Sequence, residues 1–102
     1  MEGNAVLKHI VIDLEMNKIV KQYRDTFKLS SELIEVGAVK MSDKFEVVDT
    51  YQTYVSPDFG KMDERIIQLT GITDDKLEGA PKFAEVMDDF AKWIGREKTQ
   101  FY

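Results

Sequence analysis

The sequence lacks cysteine altogether and has only one histidine, two prolines and one tryptophan among its 102 residues. Without cysteine, disulfide bridges and thiolate metal sites are excluded, which favours a cytoplasmic location. No apolar run approaches the roughly 18 residues that a membrane-spanning helix requires. Residues 1–4 carry neither a basic flank nor a small-residue cleavage site, so we do not expect a signal peptide.

The chain also lacks any surplus of positive charge. It has 14 Lys and Arg residues against 19 Asp and Glu residues, a net charge of −5 and a pI of about 4.8. A protein that coats a nucleic-acid backbone usually presents a basic face. A general DNA- or RNA-coating module is therefore disfavoured, and we expect nucleic acid to be bound only locally, for example through divalent cations.

What the chain does have is a clear order of apolar segments, with strands first and helices after them. Strands are predicted over residues 6–15, 34–41 and 45–55, and a polar turn at residues 42–44 makes the last two a hairpin. The first segment is almost continuously apolar and rich in β-branched residues. That pattern is typical of a central strand that is buried on both faces.

Helical segments follow the strands. A helix is predicted over residues 63–69, a short turn over residues 74–78 and a longer helix over residues 81–94. The longer helix carries one apolar face, formed by Phe83, Val86, Met87, Phe90 and Ile94. Residues 99–102 bring two β-prone aromatics directly after this helix. They look like the opening of a fourth strand, so the chain is expected to stop in mid-fold.

Two carboxylates, Asp13 and Glu15, stand at the end of the predicted central strand. A strand places residues i and i+2 on the same face, about 7 Å apart. Such a pair can share a divalent cation, since Mg²⁺ prefers oxygen ligands, and phosphodiester hydrolysis uses two such ions about 4 Å apart. With 19 acidic residues in the chain, about one Asp-x-Glu arises by chance, so a solvated strand end is the alternative interpretation. The apolar setting favours a metal role, because burying unpartnered carboxylates is unfavourable.

Several segments resemble one enzyme superfamily in their order and spacing. Residues 10–15, Ile-Val-Ile-Asp-Leu-Glu, are similar to the first motif of the DEDD-type 3′–5′ exonucleases, which include ribonuclease T and the proofreading subunit of DNA polymerase III. Residues 34–39 resemble the second strand of that family. Residues 54–57, followed by Leu-Thr-Gly-Ile-Thr at 69–73, resemble its third strand and the turn beside the terminal nucleotide. Within the histidine subgroup, the enzymes that trim histone mRNA are the most similar, which inclines the choice of substrate towards RNA.

The resemblance implies a fold class, a cofactor and a set of site residues. The implied fold is α/β and ribonuclease H-like: a three-stranded antiparallel meander plus helices, truncated before the fourth strand, which in the family pairs parallel to the first. Asp13 and Glu15 are implied to ligate Mg²⁺ or Mn²⁺, with two ions in the complete enzyme, and Met16 is implied to contact the terminal nucleotide. The residues implied to wall the terminal base and sugar are Leu69, Thr70, Gly71 and Ile72.

The chain departs from the family pattern in two respects. Asn17 stands where many relatives have threonine, and the later motifs, with two further carboxylates and a general-base histidine, are missing. His9, the only histidine, is expected to be a partly buried strand residue with a hydrogen-bond partner. Residues 1–102 are therefore predicted to be the N-terminal portion of a single exonuclease domain, inactive or very weak alone. The edge that the missing part leaves on the first strand predicts self-association.

Several of these residues also have simpler interpretations. Met16, Gly71 and Ile72 fit core and turn positions, Trp93 fits the core better than a base-stacking platform, and Glu35 fits a structural role or support of a metal ligand. The predicted function is a 3′–5′ exonuclease acting on RNA or single-stranded DNA by a two-metal-ion mechanism. The alternative is a non-catalytic interaction domain that retains the fold. A divalent-cation titration separates the two, because only the first requires a response at the acidic pair.

Overall fold

The computed structural model of the protein describes residues 5–102, which form one four-stranded sheet and four helices. In chain order the elements are β1 (Lys8–Lys18), α1 (Lys21–Phe27), β2 (Ser31–Ser42), β3 (Val47–Tyr54), α2 (Glu64–Thr70), α3 (Asp74–Leu77), α4 (Phe83–Ile94) and β4 (Thr99–Phe101). The strand order across the sheet is β3-β2-β1-β4, so β1 and β2 are the interior strands. The α/β class and the central position of the first strand are confirmed.

The first three strands form the predicted antiparallel meander, in which β2 pairs with both β1 and β3. β4 lies parallel to β1 over residues 8–10, and the amide of Tyr102 extends the pairing by donating to the carbonyl of Ile10 at 2.9 Å. The fourth strand has therefore begun, in the parallel orientation. The prediction that residues 99–102 open a fourth strand is confirmed, and the described sheet therefore includes the start of this strand instead of stopping before it.

The two faces of the sheet can be defined from the register of β1 and β2. Side chains alternate along a strand, and directly opposite residues share a face. The α4 face carries Ile10, Ile12 and Leu14 of β1, with Lys40, Ala38 and Val36 opposite them. The carboxylate face carries Val11, Asp13 and Glu15 of β1, with Val39, Gly37 and Glu35 opposite them. Beyond Glu15 the register shifts by one residue, because Ile34 is an extra, bulged residue in β2.

Helix α4 packs on the α4 face and forms one core with it. The cluster consists of Leu33, Val36, Val55 and Val86, with Tyr51, Met87 and Phe90 packed against it. α4 begins at Phe83 rather than at the predicted residue 81, because Lys82 is still extended and bridges Ser56 of the preceding loop. The apolar spacing that predicted this helix therefore also supplies the residues that bury it against the sheet.

Two lysines of the sheet anchor the C-terminal end of α4. The ammonium group of Lys8, a buried residue, donates to the carbonyl of Ile94, and that of Lys40 donates to the carbonyl of Trp93. The last carbonyls of a helix have no partner within the helix. The two lysines satisfy them and place a positive charge at the negative end of the helix dipole.

A second core joins β2 to the two short helices. It consists of Ile34, Met62, Ile72 and Leu77, with Tyr54, Ile66 and Ile67 packed against it. The predicted limits of α2 are confirmed by its caps: the carboxylate of Asp63 accepts a hydrogen bond from the amide of Arg65, and Gly71 adopts a left-handed conformation with φ 74°. The bulged residue Ile34 is thus the point at which β2 turns a side chain towards α2 and α3.

The expectation that β1 is buried on both faces is wrong. Ile10 is fully buried, but Val11 and Leu14 are 41% and 47% exposed. Within residues 5–102 the carboxylate face beside Val11 remains open. A continuous apolar run indicates a central strand, yet it does not show whether both faces are covered, because that depends on elements far away in sequence.

Two observations concern the membrane and the N-terminus. Between residues 5 and 102, no helix combines the length and apolarity required for a membrane span. The expectation that residues 1–4 are not a signal peptide falls on residues outside the described range, so it stays a prediction.

Candidate active site

The acidic pair lies on one face of the central strand. Asp13 pairs with Gly37 and Glu15 pairs with Glu35, both before the bulge, so their side chains leave β1 on the carboxylate face. Asp13 is exposed and Glu15 is half-buried. Because Gly37 has no side chain, the space opposite Asp13 stays open on this face. The two carboxylates thus lie on one face of the strand, as predicted, but the prediction that they stand at its end is wrong, because β1 continues to Lys18.

A third carboxylate, Glu35, stands directly opposite Glu15 across the two interior strands. Like charges in directly opposite positions destabilise a sheet. The Nε2 of Gln52 donates to the Oε2 of Glu35 at 2.6 Å, which holds Glu35 towards β3. Among residues 5–102, none of Asp13, Glu15 and Glu35 forms an ion pair. The face therefore places three carboxylates close together without an ion pair in the described part of the chain.

Within the described part of the chain, no three side chains of His, Cys, Asp or Glu lie close enough together to hold a metal ion. Asp13 and Glu15 thus supply two carboxylates, and Glu35 belongs to a hydrogen bond within the sheet, consistent with the structural role expected for it. Water or substrate oxygens must complete any coordination that the pair takes part in.

Asn17 has a role that the sequence did not reveal. It follows Glu15 by two residues on the same side of β1 and is 1% exposed. Its Nδ2 donates to the carbonyl of Lys61 at 3.2 Å, and its Oδ1 accepts from the amide of Asp63 at 2.8 Å. Asn17 therefore fixes the loop that leads into α2. Its departure from the family pattern was visible in the sequence, but its distant backbone partners were not.

The segment at residues 69–72 divides into exposed and buried parts. Leu69 is 82% exposed, whereas Ile72 is 3% exposed and packs in the second core. The hydroxyl of Thr70 donates to the carbonyl of Ile66 at 2.8 Å and accepts from the amide of Ile72 at 3.1 Å. Gly71 occupies the positive φ that ends α2. Leu69 is thus the one member of this segment whose side chain is largely free to meet a ligand.

Met16 lies away from the acidic pair. The alternation of β1 places its side chain on the α4 face, where it lines an apolar cavity of about 290 Å³ with Leu33, Val55 and Phe83. The structure therefore does not bring Met16 together with Asp13 and Glu15. A contact between Met16 and a terminal nucleotide stays a prediction.

His9 has the surroundings expected of a structural residue. It is 8% exposed, its Nδ1 lies 2.9 Å from the hydroxyl of Tyr102, and its ring stacks on that of Phe45 with centroids 3.9 Å apart. The ring ties β1 to the β2–β3 turn and to the end of the chain. The expectation of a partly buried strand histidine with a hydrogen-bond partner is confirmed.

Trp93 also matches its expected structural role. Its ring packs with Tyr51 and Phe90 on the α4 face, and its Nε1 donates to the Oδ2 of Asp49 at 2.8 Å. This hydrogen bond from Trp93, with a second from the amide of Thr50, holds the pKa of Asp49 below its ordinary value. Burial of the Tyr51 ring, with the negative charge of nearby Asp89, raises the pKa of Tyr51. These pKa shifts lie on the α4 side, away from the acidic pair.

Comparison with known sequences identifies one family. The sequence profile of the RNase T family, described as an exonuclease, matches residues 10–100. The PolC-type DNA polymerase III of Staphylococcus haemolyticus is 37% identical over 87 residues, and that of Staphylococcus aureus is 35% identical over 95 residues. These stretches cover 85% and 90% of this chain but only 5% and 6% of the polymerases.

Comparison with solved structures identifies the fold. The nuclease domain of 3'hExo, a DEDDh family member bound to rAMP, matches 96% of this chain with a TM-score of 0.76 and 24% identity. E. coli Exonuclease I in complex with an oligonucleotide matches 93% with a TM-score of 0.72 and 15% identity. This chain spans 52% of the first of these chains and 20% of the second. The protein belongs to the RNase T family of exonucleases, and its fold is the ribonuclease H-like fold of the DEDD-type 3′–5′ exonucleases.

Proposed function

We propose that this chain contributes the first acidic pair of a 3′–5′ exonuclease active site, which acts on the 3′ end of RNA or single-stranded DNA. In this proposal Asp13 and Glu15 hold a divalent cation, Mg²⁺ or Mn²⁺. The observation that carries it is the placement of the two carboxylates on one open face of the central strand, with no ion pair to any residue from 5 to 102.

The donor set fits a hard divalent cation. Mg²⁺ is commonly bound by one or two carboxylates, and it keeps waters and substrate phosphate oxygens as its remaining ligands. Asp13 and Glu15 provide such a pair, and the neighbouring Glu35 adds negative charge that a cation would offset. When bound, divalent cations supply charge stabilisation at the phosphate and lower the pKa of a bound water.

The remaining assignments concern the terminal nucleotide. In this proposal Leu69, as the exposed apolar side chain at the end of α2, packs against the terminal base or sugar, while Thr70, Gly71 and Ile72 give that turn its shape. The solved relatives were bound to rAMP in one case and to an oligonucleotide of deoxyadenylate in the other, so both RNA and single-stranded DNA are compatible with this fold. The motif resemblance inclines the choice towards RNA.

We expect the 102-residue chain to be inactive or very weak by itself. Two carboxylates hold a metal ion more loosely than a complete cage, and misplacement of a reacting group by about 1 Å can lower a rate roughly 10²-fold. Mg²⁺-dependent release of mononucleotides by the purified chain, at a rate typical of enzymes, would contradict this expectation.

A divalent-cation titration tests the proposal. Mn²⁺ at ten times its dissociation constant should stabilise the chain by about 1.4 kcal/mol and raise Tm by roughly 6 to 10 °C. The variant Asp13→Asn/Glu15→Gln should lose this response. A matched control, Asp43→Asn/Glu46→Gln in the β2–β3 turn, should keep it. An unchanged response in the first variant, or none in the native chain, would favour the non-catalytic interaction domain.

Two other expectations from the sequence stay as proposals. One is a cytoplasmic location, which rests on the absence of cysteine. The other is self-association through β1, whose residues 13–18 have no strand on the β4 side within the described chain. A single monomeric species in sedimentation equilibrium at high protein concentration would contradict the second.

A further inference from the structure

A basic pocket lies beside the end of β1, on a protein whose net charge is −5. The pocket has a volume of about 340 Å³, and four cationic residues are among those that line it: Lys18, Lys21, Arg24 and Lys61. Its other lining residues are Ile19, Val20, Met62 and Asp63. The cations come from three separate parts of the chain: the end of β1, helix α1 and the loop before α2. The tertiary structure therefore concentrates positive charge at this place.

None of the four cationic residues forms an ion pair with any residue from 5 to 102. Among residues 5–102, Asp63 is the acidic residue in the lining, and its Oδ1 accepts the amide hydrogen bond that caps α2. Lys21 and Arg24 are three residues apart in α1, so they point to the same side of that helix. Like charges around one cavity repel each other, and a bound anion would reduce this repulsion.

The pocket is joined to the acidic pair by the fold. Lys18 follows Glu15 by three residues along β1, a distance of roughly 10 Å at the rise of an extended strand, although its side chain alternates to the opposite face. Asn17, between them, fixes the loop that carries Lys61 through its hydrogen bonds to Lys61 and Asp63. The positions of the pocket and of the carboxylates are thus coupled through a buried residue. A polyanion that ends at the carboxylates can reach the pocket within a few monomer units.

We propose that this pocket binds phosphate groups of single-stranded nucleic acid, upstream of the 3′ end. Lysine and arginine are the residues that neutralise backbone phosphates, and arginine can bind two phosphate oxygens at once. Such a pocket explains how an acidic protein can bind nucleic acid, because the nucleic-acid strand is bound at one local basic site. The proposal deepens the proposed function, on which it rests for the position of the 3′ end.

The test measures binding of a fluorescent single-stranded oligonucleotide of about 12 nucleotides, the length scale of known single-strand sites. The measurement is made in EDTA, so that the acidic pair holds no cation. The variant Lys21→Ala/Arg24→Ala should raise Kd at least about 10-fold and lower the slope of log K against log salt by about 1 to 1.5. A second variant, Lys18→Gln/Lys61→Gln, changes other elements and should act in the same direction.

The matched control is Lys92→Ala/Arg96→Ala. Lys92 and Arg96 also line a shallow pocket, and their substitution removes the same number of positive charges. Lys92, however, already pairs with Asp88. The control should change Kd less than about 3-fold. Equal losses in the control and in the pocket variants would mean that only net charge matters, and this would overturn the proposal. Tm measurements on every variant confirm that each still folds.

Two further arms separate this proposal from others. The same pocket variants are also tested for binding of poly-glutamate. If they weaken poly-glutamate binding as much as oligonucleotide binding, the pocket is a site for acidic peptides and the nucleic-acid assignment is overturned. No oligonucleotide binding by the native chain in EDTA would also overturn it, and if Mn²⁺ still raised Tm through Asp13 and Glu15, the proposed function would survive. Conversely, the native chain could bind the oligonucleotide through the pocket and show no change of Tm with Mn²⁺. In that case the pocket proposal would survive and the proposed metal site would be contradicted.

Discussion

The two faces of the sheet have opposite character, although the same two strands form them. On the α4 face, Ile10 and Val36 are completely buried beneath or beside a helix. On the carboxylate face, Asp13 is exposed and Glu15 meets Glu35 directly, without a salt bridge among residues 5–102. One face is built from contacts that stabilise the fold. The other keeps like charges in opposite positions, an arrangement that weakens a sheet.

The comparison shows where function can be sought in this protein. A buried apolar face is explained fully by packing, whereas a cluster of like charges on an open face has no benefit to stability of its own. The aromatic cluster around Trp93, by contrast, is explained by packing.

The largest expected effect on the free energy of unfolding comes from alanine substitution of neighbouring residues on opposite faces of β1. Ile10→Ala, on the buried face, should lower the free energy of unfolding by about 2–5 kcal/mol, because it removes buried methylene groups and leaves a cavity. Val11→Ala, on the open face, should cost only about 0.5 kcal/mol. Urea denaturation of both variants measures the difference. Similar losses in the two variants would mean that the carboxylate face is as well covered as the α4 face.

A smaller effect of opposite sign is expected at Glu15. Glu15→Gln removes the repulsion with Glu35, so without divalent cations it should raise the stability by a few tenths to about 1 kcal/mol. The measurement is chemical denaturation in EDTA at low salt, with Glu46→Gln in the β2–β3 turn as the control. A destabilised Glu15→Gln variant would show that this carboxylate makes favourable contacts of its own, and the contrast between the faces would be lost.

The smallest effect concerns a single pKa on the α4 side. In the folded protein the hydrogen bond from Trp93 lowers the pKa of Asp49, so ionised Asp49 stabilises the fold above the unfolded-state pKa, and this contribution is lost as pH falls through the lower folded-state value. Trp93→Phe should raise that pKa towards its ordinary value, as followed by NMR titration. The lowered pKa of Asp75, held by the Thr73 hydroxyl, should not move. An unchanged Asp49 pKa would refute the assigned cause.

Much of the fold could be predicted from local sequence. The caps of α2 at Asp63 and Gly71 and the apolar spacing of α4 depend on residues close together in the chain, which is why their limits were predicted to within about two residues. The burial of β1 could not be predicted in the same way, since a continuous apolar run does not show which elements cover a strand. Nor could Asn17 be interpreted, because its partners are 44 and 46 residues away.

The sequence by itself determined the order of the elements, the spacing of Asp13 and Glu15 on one strand and the family to which they point, because periodicity and motif spacing are properties of neighbouring residues. Only the tertiary structure decided that these carboxylates lie on an open face, that Met16 lines an apolar cavity and that Lys18, Lys21, Arg24 and Lys61 line one pocket. Such proximities follow from strand register and helix docking, which join segments that are distant in the chain.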